Sequence, residues 1–156
     1  MARDDMCPTE MAEQTALFVW ARLAQGKWPE LALLYHVPNE GKRSRATGAQ
    51  LTAAGMKKGV PDLCLPVARG RRHGLYIELK RRKGSRPTAE QVEWLDALAA
   101  EGHGVAWCRG WESAAGVLLE YLRTGKITYA PTEGRGGEWH AKGDGHGAFE
   151  DRAPGA

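Results

Sequence analysis

Val60-Pro61-Asp62-Leu63-Cys64-Leu65-Pro66-Val67 and, after a basic turn, Gly74-Leu75-Tyr76-Ile77-Glu78-Leu79-Lys80 are the segments that decide the fold of this chain. The second alternates strictly, with Leu75, Ile77 and Leu79 on one side and Tyr76, Glu78 and Lys80 on the other, which is the period of a strand. The first is a short apolar run bracketed by Pro61 and Pro66; proline cannot donate to a ladder and so marks strand ends. Between them, residues 68–73 form a turn containing Gly70. Two strands joined this closely read as an antiparallel hairpin. It sets Asp62 on one strand and Glu78 on the next, with Lys80 on the face of Glu78.

Working outward, residues 9–25 read as a helix: Thr9 is an N-cap, Leu17, Trp20, Ala21 and Ala24 recur at helical spacing, and Gly26 follows. Residues 31–37 form an apolar run of strand length, halted by Pro38. Residues 39–43 are a basic loop, and residues 44–56 a helix with Leu51 and Ala54 turned inward. Beyond the hairpin, Thr88-Ala89-Glu90-Gln91 is a capping box that opens a helix carrying Val92, Leu95, Leu98 and Ala99. Residues 104–108 read as a buried strand and residues 111–122 as a last helix. The stretch after Pro131 is rich in glycine and polar residues without periodicity, the composition of a flexible tail. The order is that of an α/β sandwich with about four strands and helices on both faces. The expected organisation is a short tail over residues 1–8, one domain over 9–130 and a tail over 131–156.

Composition bounds the function. The chain has 156 residues, 42% hydrophobic and 26% charged, and no run near the ~20 apolar residues of a membrane span. The N-terminus has no apolar stretch typical of a leader. Cys7, Cys64 and Cys108 are scattered, which argues against a disulfide framework or a thiolate zinc site. A cytoplasmic protein is expected. Net charge is only +3, but it is unevenly spread. Residues 39–87 hold 13 Lys and Arg against three acids, Glu40, Asp62 and Glu78. Such a block is the electrostatic footprint of a phosphate-backbone binder, although a solvated basic face has the same composition.

Two carboxylates and a lysine on one sheet face match what metal-assisted phosphodiester cleavage requires. Mg²⁺ or Mn²⁺ is held by one or two carboxylates plus water and substrate phosphate. The metal activates its water and neutralises the scissile phosphate, and a nearby lysine can orient the nucleophile or offset developing charge. Either motif alone is weak: an Glu-x-Lys pair is commonly a surface ion pair and Pro-Asp commonly a turn.

In combination, Pro61-Asp62 and Glu78-Leu79-Lys80 resemble the signature of the PD-(D/E)xK nuclease superfamily, and the surrounding sequence resembles its VRR-NUC branch in compact stand-alone form. The resemblance rests on Glu10-Met11-Ala12-Glu13-Gln14, on Pro38-Asn39-Glu40-Gly41-Lys42-Arg43, on Gly55-Met56-Lys57-Lys58-Gly59-Val60-Pro61-Asp62, on Tyr76-Ile77-Glu78-Leu79-Lys80 and on Gln91. It implies a restriction-endonuclease-like core with a mixed central sheet. It further implies Asp62 and Glu78 as metal ligands, Lys80 as the catalytic lysine and a first-helix glutamate completing the acidic set. Glu10 is favoured, being followed by Gln14 four residues on, with Glu13 as the alternative. Gln91 matches a glutamine that reaches back to the site, a role that competes with closing the capping box. Asn39, Lys42, Arg43, Lys57 and Lys58 resemble backbone-contacting residues. The implied activity is a Mg²⁺- or Mn²⁺-dependent endonuclease on structured or branched DNA (Holliday-junction or flap-like), with little sequence preference and working as a homodimer. A non-catalytic DNA-binding module of the same fold is the alternative.

Overall fold

The computed structural model describes residues 7–38, 45–127 and 136–138. Helix α1 (Glu10–Ala24) is capped by Thr9, whose side chain accepts from the Ala12 amide. A 3₁₀ turn (Pro29–Leu33) and a two-residue strand β1 (Tyr35–His36) follow. Helix α2 (Arg45–Ala53) precedes strands β2 (Leu63–Leu65) and β3 (Leu75–Lys80). Helix α3 (Ala89–Ala100), strand β4 (Gly104–Arg109), helix α4 (Trp111–Thr124) and strand β5 (Gly136–Glu138) complete the order.

The sheet is mixed, in the order β1-β2-β3-β4-β5. β2 and β3 form the expected antiparallel hairpin, with Leu63 opposite Ile77 and Leu65 opposite Leu75. β3 and β4 are parallel, and α3 is the crossover between them, as a parallel pair demands. One sheet face carries Leu63, Leu65, Leu75, Ile77, Leu79, Ala106 and Cys108 against Leu17 and Ala21 of α1 and Val117, Leu118 and Tyr121 of α4. The other face packs Val105, with half-buried Tyr76 and Trp107, beneath Leu95 and Ala99 of α3. Helices therefore cover both faces, and the chain order makes that necessary. A crossover helix must return over one face of the parallel pair, leaving the other to α1 and α4.

Several sequence expectations are revised. Residues 31–37 were expected as one strand, but Pro29 fixes the φ needed to start a 3₁₀ turn, which buries Leu31 and Leu34 together. Only Tyr35 and His36 remain to pair with β2. Helix α2 has no buried residue; Leu51 is half-buried and Ala54 exposed rather than inward. β2 is shortened to three residues by its flanking prolines. β3 is not half-buried as alternation suggests: Glu78 and Lys80 are as buried as the leucines opposite. Within the stretch read as a tail, Gly136–Glu138 pairs antiparallel with β4 and adds a fifth strand. Main-chain pairing on a sheet edge needs no side-chain pattern, so Gly136-Gly137 gives no periodic signal. Asn39, Lys42 and Arg43 lie outside the described residues.

Candidate active site

The site lies at the carboxyl end of β3, and backbone register builds most of it. Continuing the β2–β3 pairing one step past Leu63–Ile77 sets Asp62 opposite Glu78. Asp62 is held from two sides. Its Oδ2 accepts the Leu79 amide at 2.8 Å, while its carbonyl accepts the Val37 amide at 2.7 Å and lies 3.0 Å from His36 Nδ1. The short edge strand β1 thus serves to fix the backbone that presents Asp62. His36 is half-buried and braces this turn.

Glu78 is fully buried. Its Oε1 is met by Lys80 Nζ at 2.5 Å and by Gln91 Nε2 at 2.5 Å. Gln91 fills both roles that compete for it in the sequence. Its Oε1 accepts the Thr88 amide at 2.8 Å, closing the capping box, and its Nε2 remains to donate to Glu78. The two ends of one amide therefore tie the start of α3 to the site. Lys80, 6% exposed, also lies 3.8 Å from Glu10 Oε1, on the first turn of α1.

The structure separates the two first-helix glutamates. Glu10 reaches Lys80. Glu13, one turn along and 1% exposed, is engaged elsewhere. Its Oε1 accepts Arg82 Nε at 2.6 Å and its Oε2 accepts the Trp111 amide at 3.0 Å. Arg82 also pairs with Glu112 at 2.6 Å. Glu13 thus fastens α1 to the start of α4 and to the chain just beyond Lys80, a structural part that sequence spacing did not reveal.

Burial makes this cluster electrostatically uneven. It raises the Glu78 pKa to about 8, helped by the negative charge of Asp62 and opposed by Lys80. Burial also raises Asp62, against the Leu79 amide and Lys80, which favour its charged form. Desolvation works to lower Lys80, but Glu78, Glu10 and Asp62 outweigh it and hold the ammonium charged. Three carboxylates face a single ammonium, and Glu78 Oε2 is buried without a hydrogen-bond partner among the described residues. Such a deficit of positive charge, with a hard oxygen donor left over, suits a divalent cation. Asp62 and Glu78 are the residues that could hold it. Glu10 stands beside Lys80 and does not complete a cluster: among the described residues no group of three or more His, Cys, Asp or Glu is arranged to hold a metal. Two carboxylates are nevertheless enough for Mg²⁺, which keeps several waters.

The basic block is divided by the fold. Lys57 and Lys58 are exposed, in the loop leading to Asp62, and Lys58 acts on Glu90 at the start of α3. Gly59, at φ +81°, lies so close to the Glu90 backbone that a Cβ would meet it at 2.8 Å, which presses this loop against α3. Arg69, Arg71 and Arg72 occupy the hairpin turn at the opposite end of β3, ~17 Å from Lys80 by strand rise. Arg69 there serves the fold, pairing with Glu30 and donating to the Leu122 carbonyl.

The VRR-NUC domain model matches residues 13–112, a span that includes Asp62, Glu78, Lys80 and Gln91. The chain belongs to the VRR-NUC family. A solved VRR_NUC domain protein superposes with a TM-score of 0.65 at 31% identity, covering 74% of this chain and 89% of that one. No curated protein matches it. VRR-NUC membership places the chain in a nuclease-like fold family, with the restriction-endonuclease-like α/β core expected from its sequence. Among the described residues no helix is long and apolar enough to cross a membrane.

Proposed function

We propose that this VRR-NUC protein is a Mg²⁺- or Mn²⁺-dependent endonuclease that hydrolyses phosphodiester bonds in structured or branched DNA. The observation that carries the reading is half-buried Asp62 beside fully buried Glu78, set side by side by strand register, with Lys80 on Glu78 Oε1 and an Oε2 that has no hydrogen-bond partner among the described residues. A divalent cation bound by Asp62 and Glu78 would supply an activated water and neutralise charge on the scissile phosphate. The remaining work belongs to the chain. Gln91 and Lys80 fix the Glu78 rotamer by converging on one oxygen, and the Leu79 amide fixes Asp62. Such supporting contacts keep ligands within productive geometry. Lys80, kept cationic and buried, is placed to orient the attacking water and to offset charge building on the phosphate oxygens. Glu10, 3.8 Å from Lys80 Nζ, helps to hold the ammonium in place.

Exposed Lys57 and Lys58 beside Asp62, together with Asn39, Lys42 and Arg43, suit contact with the sugar-phosphate backbone, which positions a duplex without reading bases. Little sequence preference follows. A homodimer making paired cuts completes the reading.

The test is cleavage of labelled four-way junction, flap and linear duplex DNA with Mg²⁺ or Mn²⁺, alongside Asp62→Ala and an EDTA control. Cutting of a branched substrate by the wild type alone supports the reading. Equal DNA binding by all preparations with no cutting would favour a non-catalytic DNA-binding module instead.

A further inference from the structure

Arg109 ends β4 as Lys80 ends β3, and the two are register partners on adjacent parallel strands, ~4.8 Å apart between strand axes. Alternation along β4 turns Cys108 into the α1/α4 core and Val105 and Trp107 to the α3 face. Arg109 therefore shares the face of Glu78 and Lys80. Its guanidinium lies over the Trp107 ring, 5.5 Å from the centroid, and Trp107 is itself the register partner of Glu78. Arg109 is half-buried, and its Nε is shielded from water with no hydrogen-bond partner among the described residues. By contrast, Arg69 and Arg82 are each paired with a carboxylate.

A guanidinium held against an aromatic face, partly stripped of water and given no acid among the described residues, is poised for an anion. We propose that Arg109 binds a phosphodiester oxygen of the nucleic acid beside the scissile position. It acts there as a substrate-positioning residue at the mouth of the site, with Trp107 as the platform that orients its donors. The planar fork suits two oxygens of one phosphate, which a lysine cannot match. This inference rests on the nuclease reading above. Its location on rigid strand, rather than in a loop, would fix the register of the backbone over Glu78 and Lys80.

The experiment uses the full chain as wild type, Arg109→Gln and Arg109→Lys. Binding to labelled duplex and four-way junction DNA is measured with Ca²⁺ across a salt series, together with kcat and KM for cleavage with Mg²⁺ and thermal melts of each protein. Arg109→Gln is expected to weaken binding about tenfold, the scale of one charged hydrogen-bonded contact. It should also lower the slope of log affinity against log salt by about one. KM should rise more than kcat falls, and the melting temperature should hold. Arg109→Lys should recover the salt slope but not the full affinity. Binding, slope and KM unchanged in Arg109→Gln would overturn the proposal while leaving the nuclease reading intact. An Arg109→Gln protein that melts early, with Arg109→Lys restoring stability and showing wild-type affinity, would assign the residue to packing and also overturn it. A wild type that neither binds nor cuts DNA would remove both readings.

Discussion

The two faces of β3 hold opposite chemistry, and at its carboxyl end both are shut away from water. Leu75, Ile77 and Leu79, on one face, sit in a dry core against α1 and α4. Glu78 and Lys80, on the other, are also buried, yet both are ionisable. Burying an aliphatic side chain contributes roughly 1.5–3 kcal/mol. Burying a charge opposes folding unless it is paired, and even a good pair often only breaks even. One face therefore holds the domain together, and the other is carried by it. Residues one step apart in sequence should accordingly respond in opposite ways to substitution.

The largest effect expected is on the charged face. Glu78→Gln keeps the shape but removes the carboxylate, and cleavage should fall on the order of 10³-fold or more, the scale of losing one preorganised charged group. Thermal melts in EDTA at neutral pH should show the variant about as stable as wild type, since burial already keeps the Glu78 carboxyl protonated up to about pH 8 and the amide has the same shape. A variant that is markedly less stable would break the comparison. On the other face, Ile77→Ala should cost about 2–5 kcal/mol by leaving a cavity under α1 and α4. The melting temperature should drop on the order of 10 °C, with kcat for the folded fraction close to wild type.

Gln91→Glu sharpens the contrast at one residue. A glutamate can still close the capping box with the Thr88 amide, but it loses the donor to Glu78 and adds a carboxylate beside it. Cleavage should drop roughly 10- to 100-fold, as for lost supporting contacts at metal sites, while helix content by circular dichroism is kept. Loss of helix with full activity would reverse the assignment of its two roles.

The smallest effect is in pH. With its pKa raised from 4.5 to about 8, Glu78 keeps in the folded chain a proton that the unfolded chain releases. The folded state therefore binds more protons than the unfolded state across this window, and stability without a cation should fall as pH rises through it. Divalent cation affinity should rise over the same range, because the proton competes for the carboxylate. Melting temperatures in EDTA from pH 5 to 9 should decline by a few degrees and flatten on adding Mg²⁺. A flat profile in EDTA would show that Glu78 is ionised without help.

Much of this was legible in the chain. Thr9 and Thr88 announce helix starts through a local hydrogen bond that needs only a neighbour three residues away. The Leu75–Lys80 alternation announces a strand, and the match of Pro61-Asp62 to Glu78-Leu79-Lys80 names the residues of the site. What failed depended on partners distant in sequence. Residues 31–37 had strand composition, but burying Leu31 and Leu34 beneath α1 favoured a 3₁₀ turn. The burial of Glu78 and Lys80 was hidden because their polarity suggests solvent.

Sequence alone determined most element types, which follow from period, caps and spacing along one chain, while its resemblance to the VRR-NUC signature pointed to the family and to Asp62, Glu78 and Lys80 as the candidate set. Tertiary structure decided the rest, because contacts between remote segments have no local signal. It assigned Glu10 to Lys80 and Glu13 to Arg82. It let Gln91 cap α3 and hold Glu78 at once. It carried the arginines of the hairpin turn away from the site and set Arg109 beside Lys80, through a parallel pairing that only the α3 crossover makes possible.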